Sequence, residues 1–175
     1  MTLVHAQALY RTAYHLTGNS SDAEDLAQET YLRAFRAFSG FRGGDVRAWL
    51  FAIMRHAFLD DCRRRGRMPT MTSADDELLT FTENGAGLSA PSAETEALRR
   101  LPSEAIERAF ASLPPDWRML VVLADVEELP YREIADVLGI PMGTVMSRLH
   151  RARKRLQQRL LDTQRTEWRR YEGSA

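Results

Sequence analysis

The sequence predicts an all-α protein made of two small helical domains joined by a flexible acidic linker. Apolar residues recur at intervals of three and four along most of the chain, which is the period of an amphipathic helix. Alternation of apolar and polar residues never persists beyond a few positions, so no strand is expected. Residues 68–92 lack a period and are rich in turn-forming and acidic residues, which is typical of a linker. We therefore place the domains at residues 1–67 and 93–175.

Size and composition limit the possible classes of protein. The chain has 175 residues, and 44% of them are hydrophobic, which is enough for the cores of two small domains. We find no apolar run of the roughly 18 residues that cross a bilayer and no secretory signal, so we expect a cytoplasmic protein without membrane insertion. Cys62 is the only cysteine, which excludes an internal disulfide, and no zinc-binding spacing is present. We expect no metal, no other cofactor and no catalytic residue.

The first domain is predicted to contain three helices. The first helix ends at Gly18, and the second follows Ser20, Ser21 and Asp22, any of which can cap a helix N-terminus. The third, which ends before Gly66, is too apolar around its circumference to be a lone surface helix. The apolar face of the second helix is predicted to comprise Ala23, Ala27, Tyr31, Ala34, Phe35 and Phe38.

The second domain is predicted to begin with two amphipathic helices. Pro114 and Pro115 separate them, and Asp116 is expected to cap the second helix. The first of these helices should turn five residues inward, which are Ala105, Ile106, Ala109, Phe110 and Leu113.

The last two predicted helices have the spacing of a helix-turn-helix. The chain turns at Gly139, and Pro141 starts the following helix with a φ that is already suitable. Winding that helix at about 100° per residue separates a core stripe from an outward stripe. The core stripe comprises Val145, Leu149, Ala152 and Leu156. The outward stripe comprises Ser147, His150, Arg151 and Lys154, and it is flanked by Arg148, Arg153 and Arg155.

The charge of the chain is unevenly distributed although the net charge is zero. Residues 70–98 carry six acids and no base, whereas residues 146–175 carry nine bases and three acids. A basic helix after a helix-turn-helix favours DNA, with the outward stripe at base edges and the flanking arginines at phosphates. The alternative for the same pattern is a solvated basic face.

Two segments carry a resemblance to a known family. The segment SLPPDWRMLVVLADVEELPYREIADVLGIPMGTVMSRLHRARKRL resembles region 4 of bacterial extracytoplasmic-function (ECF, group IV) sigma factors of the sigma-70 family, and LTGNSSDAEDLAQETYLRAFRAFSGFRGGDVRAWLFAIMRHAFLDDCRRR resembles their region 2. The resemblance implies a sigma factor that binds core RNA polymerase and directs promoter-specific initiation by recognising −35 and −10 elements and melting DNA. GTVMSRLHR is most similar to the branch that is controlled by zinc-binding anti-sigma factors.

The resemblance also implies partners and site residues. The partners are core polymerase (its β′ clamp and β flap), promoter DNA and an anti-sigma factor, for a chain that is monomeric when free. The −35 residues are Thr144, Met146, Ser147, Arg148, His150, Arg151 and Lys154. The −10 residues are His56, Asp60, Arg63 and Arg64. The polymerase-binding residues are Asp25, Gln28, Glu29 and Leu32.

Several assignments stay open at this point. Many members carry asparagine where His56 stands, so the preferred −10 base can differ, and a buried core histidine is the alternative. Trp49, Phe51 and Phe58 could melt DNA or fill the core, and we expect at least two of the three to be core. Cys62 is expected to be a structural residue. The rival to a sigma factor is a stand-alone helix-turn-helix transcriptional regulator, for which we see no ligand pocket in the first domain.

Overall fold

The computed structural model describes residues 3–66 and 103–172, and the acidic linker predicted at residues 68–92 lies outside these ranges. The described residues form helices joined by turns, without a strand, as predicted. The helices are α1 (Ala6–Thr17), α2 (Ser20–Ala37), α3 (Val46–Arg64), α4 (Ser103–Ala111), α5 (Pro115–Val121), α6 (Tyr131–Leu138) and α7 (Met142–Glu172). Short 3-10 turns occupy Leu3–His5 and Phe38–Gly40, and a π-helical segment, Val122–Val126, continues α5.

The N-terminus of α2 corrects a capping prediction. Asn19 is the N-cap, and its side chain accepts a hydrogen bond from the N–H of Asp22 at 2.8 Å. Asn19 has the extended backbone that an N-cap requires, whereas Ser20 and Ser21 already belong to the helix. Asp116 is not a cap either. It lies in the first turn of α5, where its carboxylate forms an ion pair with Arg55 of α3 at 2.8 Å.

Three apolar side chains that were predicted to face inward are exposed. The exposed fractions are 77% for Phe35, 50% for Phe38 and 48% for Ile106. The buried face of α2 is rotated by about one residue, so that Leu26 and Thr30 are inside. Thr30 can be buried because its hydroxyl donates a hydrogen bond to the carbonyl of Leu26 at 2.7 Å.

The third helix contacts helices of both domains, as expected for a helix that is too apolar to lie alone at the surface. Helix α3 contacts α1 and α2 of the first domain and α5 and α6 of the second. Phe51 and Phe58 are buried in this packing, and Cys62 is buried as well. Trp49 is half-buried, and its ring lies 4.8 Å from that of Phe41. Two of the three aromatic residues are therefore core, as expected.

The two helical domains share one continuous hydrophobic core and are also joined by Glu127. The side chain of Glu127 is fully buried. Its carboxylate accepts hydrogen bonds from Arg11 Nη2 at 2.9 Å, from the Thr12 hydroxyl at 3.1 Å and from Arg47 Nη2 at 2.6 Å. Burial would raise the pKa of Glu127, but the hydrogen bonds from these three donors outweigh it and leave the pKa below its ordinary value.

Helices α6 and α7 form the predicted helix-turn-helix. Gly139 ends α6 with a φ of 64°, and the carbonyl of Pro141 accepts the N–H groups of Thr144 and Val145 at 2.9 and 3.1 Å. Three members of the core stripe of α7 are fully buried and Leu156 is half-buried, so the predicted stripe is confirmed.

Replacing Gly139 by alanine is expected to lower the free energy of unfolding by about 1 kcal/mol. An added Cβ would meet nothing within 4 Å, so the cost is the left-handed backbone alone. Gly143 is the matched control because its surroundings are equally open and its φ is not positive. Gly143→Ala should leave stability unchanged or raise it by up to about 0.5 kcal/mol. Urea unfolding of both variants tests this, and equal losses at the two positions would contradict it.

Candidate nucleic-acid interface

The first four turns of α7 carry all seven residues predicted for the −35 element. Three of them are exposed: Met146, His150 and Lys154. The other four, Thr144, Ser147, Arg148 and Arg151, are partly buried. Because Val145 and Leu149 fix the inner side of the helix in the core, these seven residues lie on its sides and outer face. The surface therefore offers basic, hydroxyl, imidazole and thioether groups on one helix.

The arginines of α7 are in different environments. Arg151 lies along the helix, with Nε 3.3 Å from the carbonyl of Ser147 and Nη2 3.4 Å from its hydroxyl. The Nε of Arg148 is buried without a hydrogen bond in the described part of the chain, so the stem of this side chain packs on the protein. Arg153 forms an ion pair with Asp125. A phosphate contact by Arg153 would have to compete with that carboxylate.

The residues predicted for the −10 element lie on α3. His56 is exposed, which rules out the buried-histidine alternative, and Arg63 and Arg64 are exposed as well. Asp60 lies one turn after His56 and is half-buried. A hydrogen bond from Arg33 lowers the pKa of Asp60; partial burial opposes this, and the nearby charges of Arg33, Arg63 and His56 reinforce it. Asp60 is therefore a carboxylate at neutral pH.

The residues predicted for polymerase binding lie on α2 and line a groove between α2 and α3. Asp25, Gln28, Glu29 and Leu32 form one wall, and Arg64 is among the residues of the opposite side. Leu32 is 52% exposed. The structure thus brings the predicted polymerase-binding residues next to a predicted −10 residue.

Sequence reasoning missed two side chains of this surface. Phe35 and Phe38 continue from Leu32 at intervals of three residues, and all three are exposed. We call Leu32, Phe35 and Phe38 the α2 apolar ridge. The available signal was the spacing itself, because an apolar residue three positions after an exposed leucine lies beside it on the helix surface.

The described residues contain no group of three or more histidine, cysteine or acidic side chains that could hold a metal ion. Within the same ranges, we also find no helix with the length and apolar character needed to cross a membrane.

Comparison with known proteins gives consistent matches. Residues 3–68 match the family model described as Sigma-70 region 2, and residues 103–156 match the model described as Sigma-70, region 4. The chain is 41% identical over 152 residues to the ECF RNA polymerase sigma factor SigE of Mycolicibacterium smegmatis, which covers 87% of this chain and 57% of that protein. It thus spans little more than half the length of that relative. It is 34% identical over 137 residues to the ECF RNA polymerase sigma-E factor of Escherichia coli, covering 77% of this chain and 72% of that protein.

Solved structures are similar to this chain as well. The sigma factor RpoE from Bartonella quintana, crystallised in complex with the anti-sigma factor NepR, aligns with a TM-score of 0.64 and 31% identity. The alignment covers 90% of this chain and 92% of that chain. CnrH, solved in complex with the cytosolic domain of CnrY, aligns with a TM-score of 0.55 and 26% identity, covering 91% of this chain and 83% of that chain.

Proposed function

The chain belongs to the ECF sigma factors of the sigma-70 family, and from this membership we propose that it binds core RNA polymerase and directs initiation at promoters with specific −35 and −10 elements. The observation that carries the proposal is the pairing of two exposed surfaces, one on α3 and one on α7, in domains that match regions 2 and 4 respectively. A stand-alone regulator would need only the helix-turn-helix. We assign region 2 to residues 1–67, the linker to 68–92 and region 4 to 93–175.

In this proposal α7 reads the −35 element from the major groove. Thr144, Ser147, His150 and Arg151 supply polar contacts to base edges and phosphates, Met146 offers an apolar contact to a thymine methyl group, and Arg148 and Lys154 contact phosphates. On α3, His56 and Asp60 contact the opened −10 strand while Arg63 and Arg64 hold its backbone. Stacking and polar contacts of this kind offset the few kcal/mol that an unpaired base costs.

We assign polymerase binding to α2 and the inhibited state to an anti-sigma factor. The α2 apolar ridge and the flanking Asp25, Gln28 and Glu29 would contact the β′ clamp, because exposed apolar residues within a charged surface are typical of an interface. Region 4 would contact the β flap. The complexes of RpoE with NepR and of CnrH with CnrY support an anti-sigma partner. We propose a cytoplasmic chain that is monomeric when it is not bound to a partner.

Run-off transcription tests the proposal directly. Core polymerase is assayed with and without the protein on a promoter library randomised at both elements. Transcripts that need the protein and share a −35 and −10 pair are the expected result. Specific DNA binding without any protein-dependent transcript would contradict it and favour the stand-alone regulator.

Leu32→Asp is expected to lower the affinity for core polymerase at least about tenfold. The substitution places a charge at the first residue of the apolar ridge, where it would lose water on docking without gaining a partner. Val4→Asp is the control, since Val4 is also exposed (76%) but lies before α1, outside this surface. Fluorescence anisotropy of the labelled protein with core polymerase gives both affinities. Equal effects of the two substitutions would contradict the assignment of α2.

A further inference from the structure

Arg33 of α2 joins the surfaces that we assign to two different partners. Its Nε donates a hydrogen bond to Oε1 of Glu29 at 2.7 Å, and its Nη1 donates to Oδ2 of Asp60 at 2.8 Å. Glu29 belongs to the proposed polymerase-binding surface on α2, and Asp60 belongs to the proposed −10 surface on α3. The guanidinium is therefore a direct link between them.

The link continues from Asp60 to Arg63 on α3. The second carboxylate oxygen of Asp60, Oδ1, accepts a hydrogen bond from Nη1 of Arg63 at 3.0 Å. Glu29, Arg33, Asp60 and Arg63 thus form a row of alternating charges across the two helices. The hydrogen bond to Asp60 raises the pKa of Arg33 most, and the bond to Glu29 raises it further, whereas burial lowers it. Arg33 therefore stays charged.

The geometry distinguishes this row from ordinary surface ion pairs, which contribute little. The side chains of Glu29 and Asp60 are 42% and 43% exposed, but that of Arg33 is 33% exposed and binds carboxylates of two different helices with different nitrogens. A planar guanidinium fixes the direction of both bonds, which the ammonium group of a lysine does not. Without Arg33, Asp60 would keep Arg63 as a partner but lose the contact that fixes it relative to α2. Removal of Arg33 should therefore affect the orientation of these groups more than the stability of the fold.

We propose that Arg33 is a positioning residue for −10 recognition: it fixes the Asp60 carboxylate, and through it Arg63, and makes their position depend on Glu29 at the polymerase surface. The inference rests on the proposed function. Arg33 itself has no assigned contact with DNA, and its two bonds couple the polymerase-binding surface to the −10 surface.

Binding of holoenzyme to short single-stranded −10 oligonucleotides tests the inference. The matched sequence comes from the run-off selection, and the mismatched one differs by a single base. Arg33→Ala should lower the ratio of matched to mismatched affinity about fivefold, while Arg33→Lys should retain part of it. Arg36→Ala is the control. Arg36 lies three positions after Arg33 on α2 and is exposed, so the substitution removes the same charge from the same helix. It should leave the ratio of matched to mismatched affinity within about twofold of the wild type.

A double-mutant cycle separates positioning from a general loss of structure. In the Asp60→Asn background, Arg33→Ala should cause little further loss of discrimination, because its effect is transmitted through Asp60. Full additivity, or an unchanged ratio in Arg33→Ala alone, would overturn the inference. Thermal unfolding by circular dichroism confirms that the variants are folded. A wild-type holoenzyme that shows no −10 preference overturns the proposed function and this inference together, whereas a wild-type preference that is insensitive to Arg33 overturns this inference alone.

Discussion

Glu127→Ala is expected to lower the free energy of unfolding by about 2–3 kcal/mol and to loosen the contact between the two domains. The substitution removes a buried carboxylate and leaves Arg11 and Arg47 without the acceptor that they share. The loss is smaller than for a fully buried pair because the Arg11 side chain is 49% exposed and can be hydrated. Urea unfolding measures the stability, and small-angle scattering measures the expected increase in radius of gyration.

The control and the pH dependence make this prediction specific. Glu128 is the neighbouring exposed residue, and its backbone is left-handed with a φ of 52°. The control Glu128→Gln therefore removes the charge while keeping the shape of the side chain, and it should change stability by less than about 0.5 kcal/mol. Because the folded pKa of Glu127 lies below its ordinary value of 4.5, its contribution is complete above about pH 4.5 and is lost as the pH falls through the folded pKa. The difference in free energy of unfolding between the wild type and Glu127→Gln should therefore disappear only in acid. An advantage that persists unchanged in acid would contradict this role for the carboxylate.

The contact made by Glu127 also bears on the proposed function. Elements centred at −35 and −10 are about 25 base pairs apart, which corresponds to roughly 85 Å along B-DNA. A compact chain of this length has a radius of gyration of about 16 Å and cannot contact both elements at once. On the proposed function the two domains must separate at the promoter, and the bonds to Glu127 must break when they do.

Sequence reasoning succeeded where the determinants are local. Gly139 with its positive φ and the stripe of Val145 and Leu149 follow from backbone preference and helical period, so the helix-turn-helix was predictable. The period also placed His56 and Asp60 on one side of α3, although it could not decide whether His56 was buried.

The remaining features depend on contacts between distant parts of the chain. Arg11 and Glu127 are separated by 116 positions, and nothing in the local sequence of either indicates the other. Phe35 and Phe38 are apolar and lie at helical spacing, which are also the properties of buried residues. Their exposure depends on which side of α2 meets α1 and α3, and a rotation of about one residue was enough to make the prediction wrong. The role of Arg33 requires α2 and α3 to be adjacent, which no local pattern in the sequence indicates.

Arg151→Ala is expected to weaken binding of the holoenzyme to a −35 element by about 1–3 kcal/mol and to relax specificity at one position. Lys154→Ala should weaken binding evenly across sequences and reduce the slope of log affinity against log salt by about one, as expected for a single phosphate contact. Arg165→Ala is the control, since it removes a charge from an exposed site on the same helix about 20 Å further along. Promoter fragments randomised at the −35 element, titrated at several salt concentrations, separate these effects. Equal losses in all three variants would indicate a diffuse basic face instead of a recognition surface, because a diffuse interaction depends on total charge and not on position along α7.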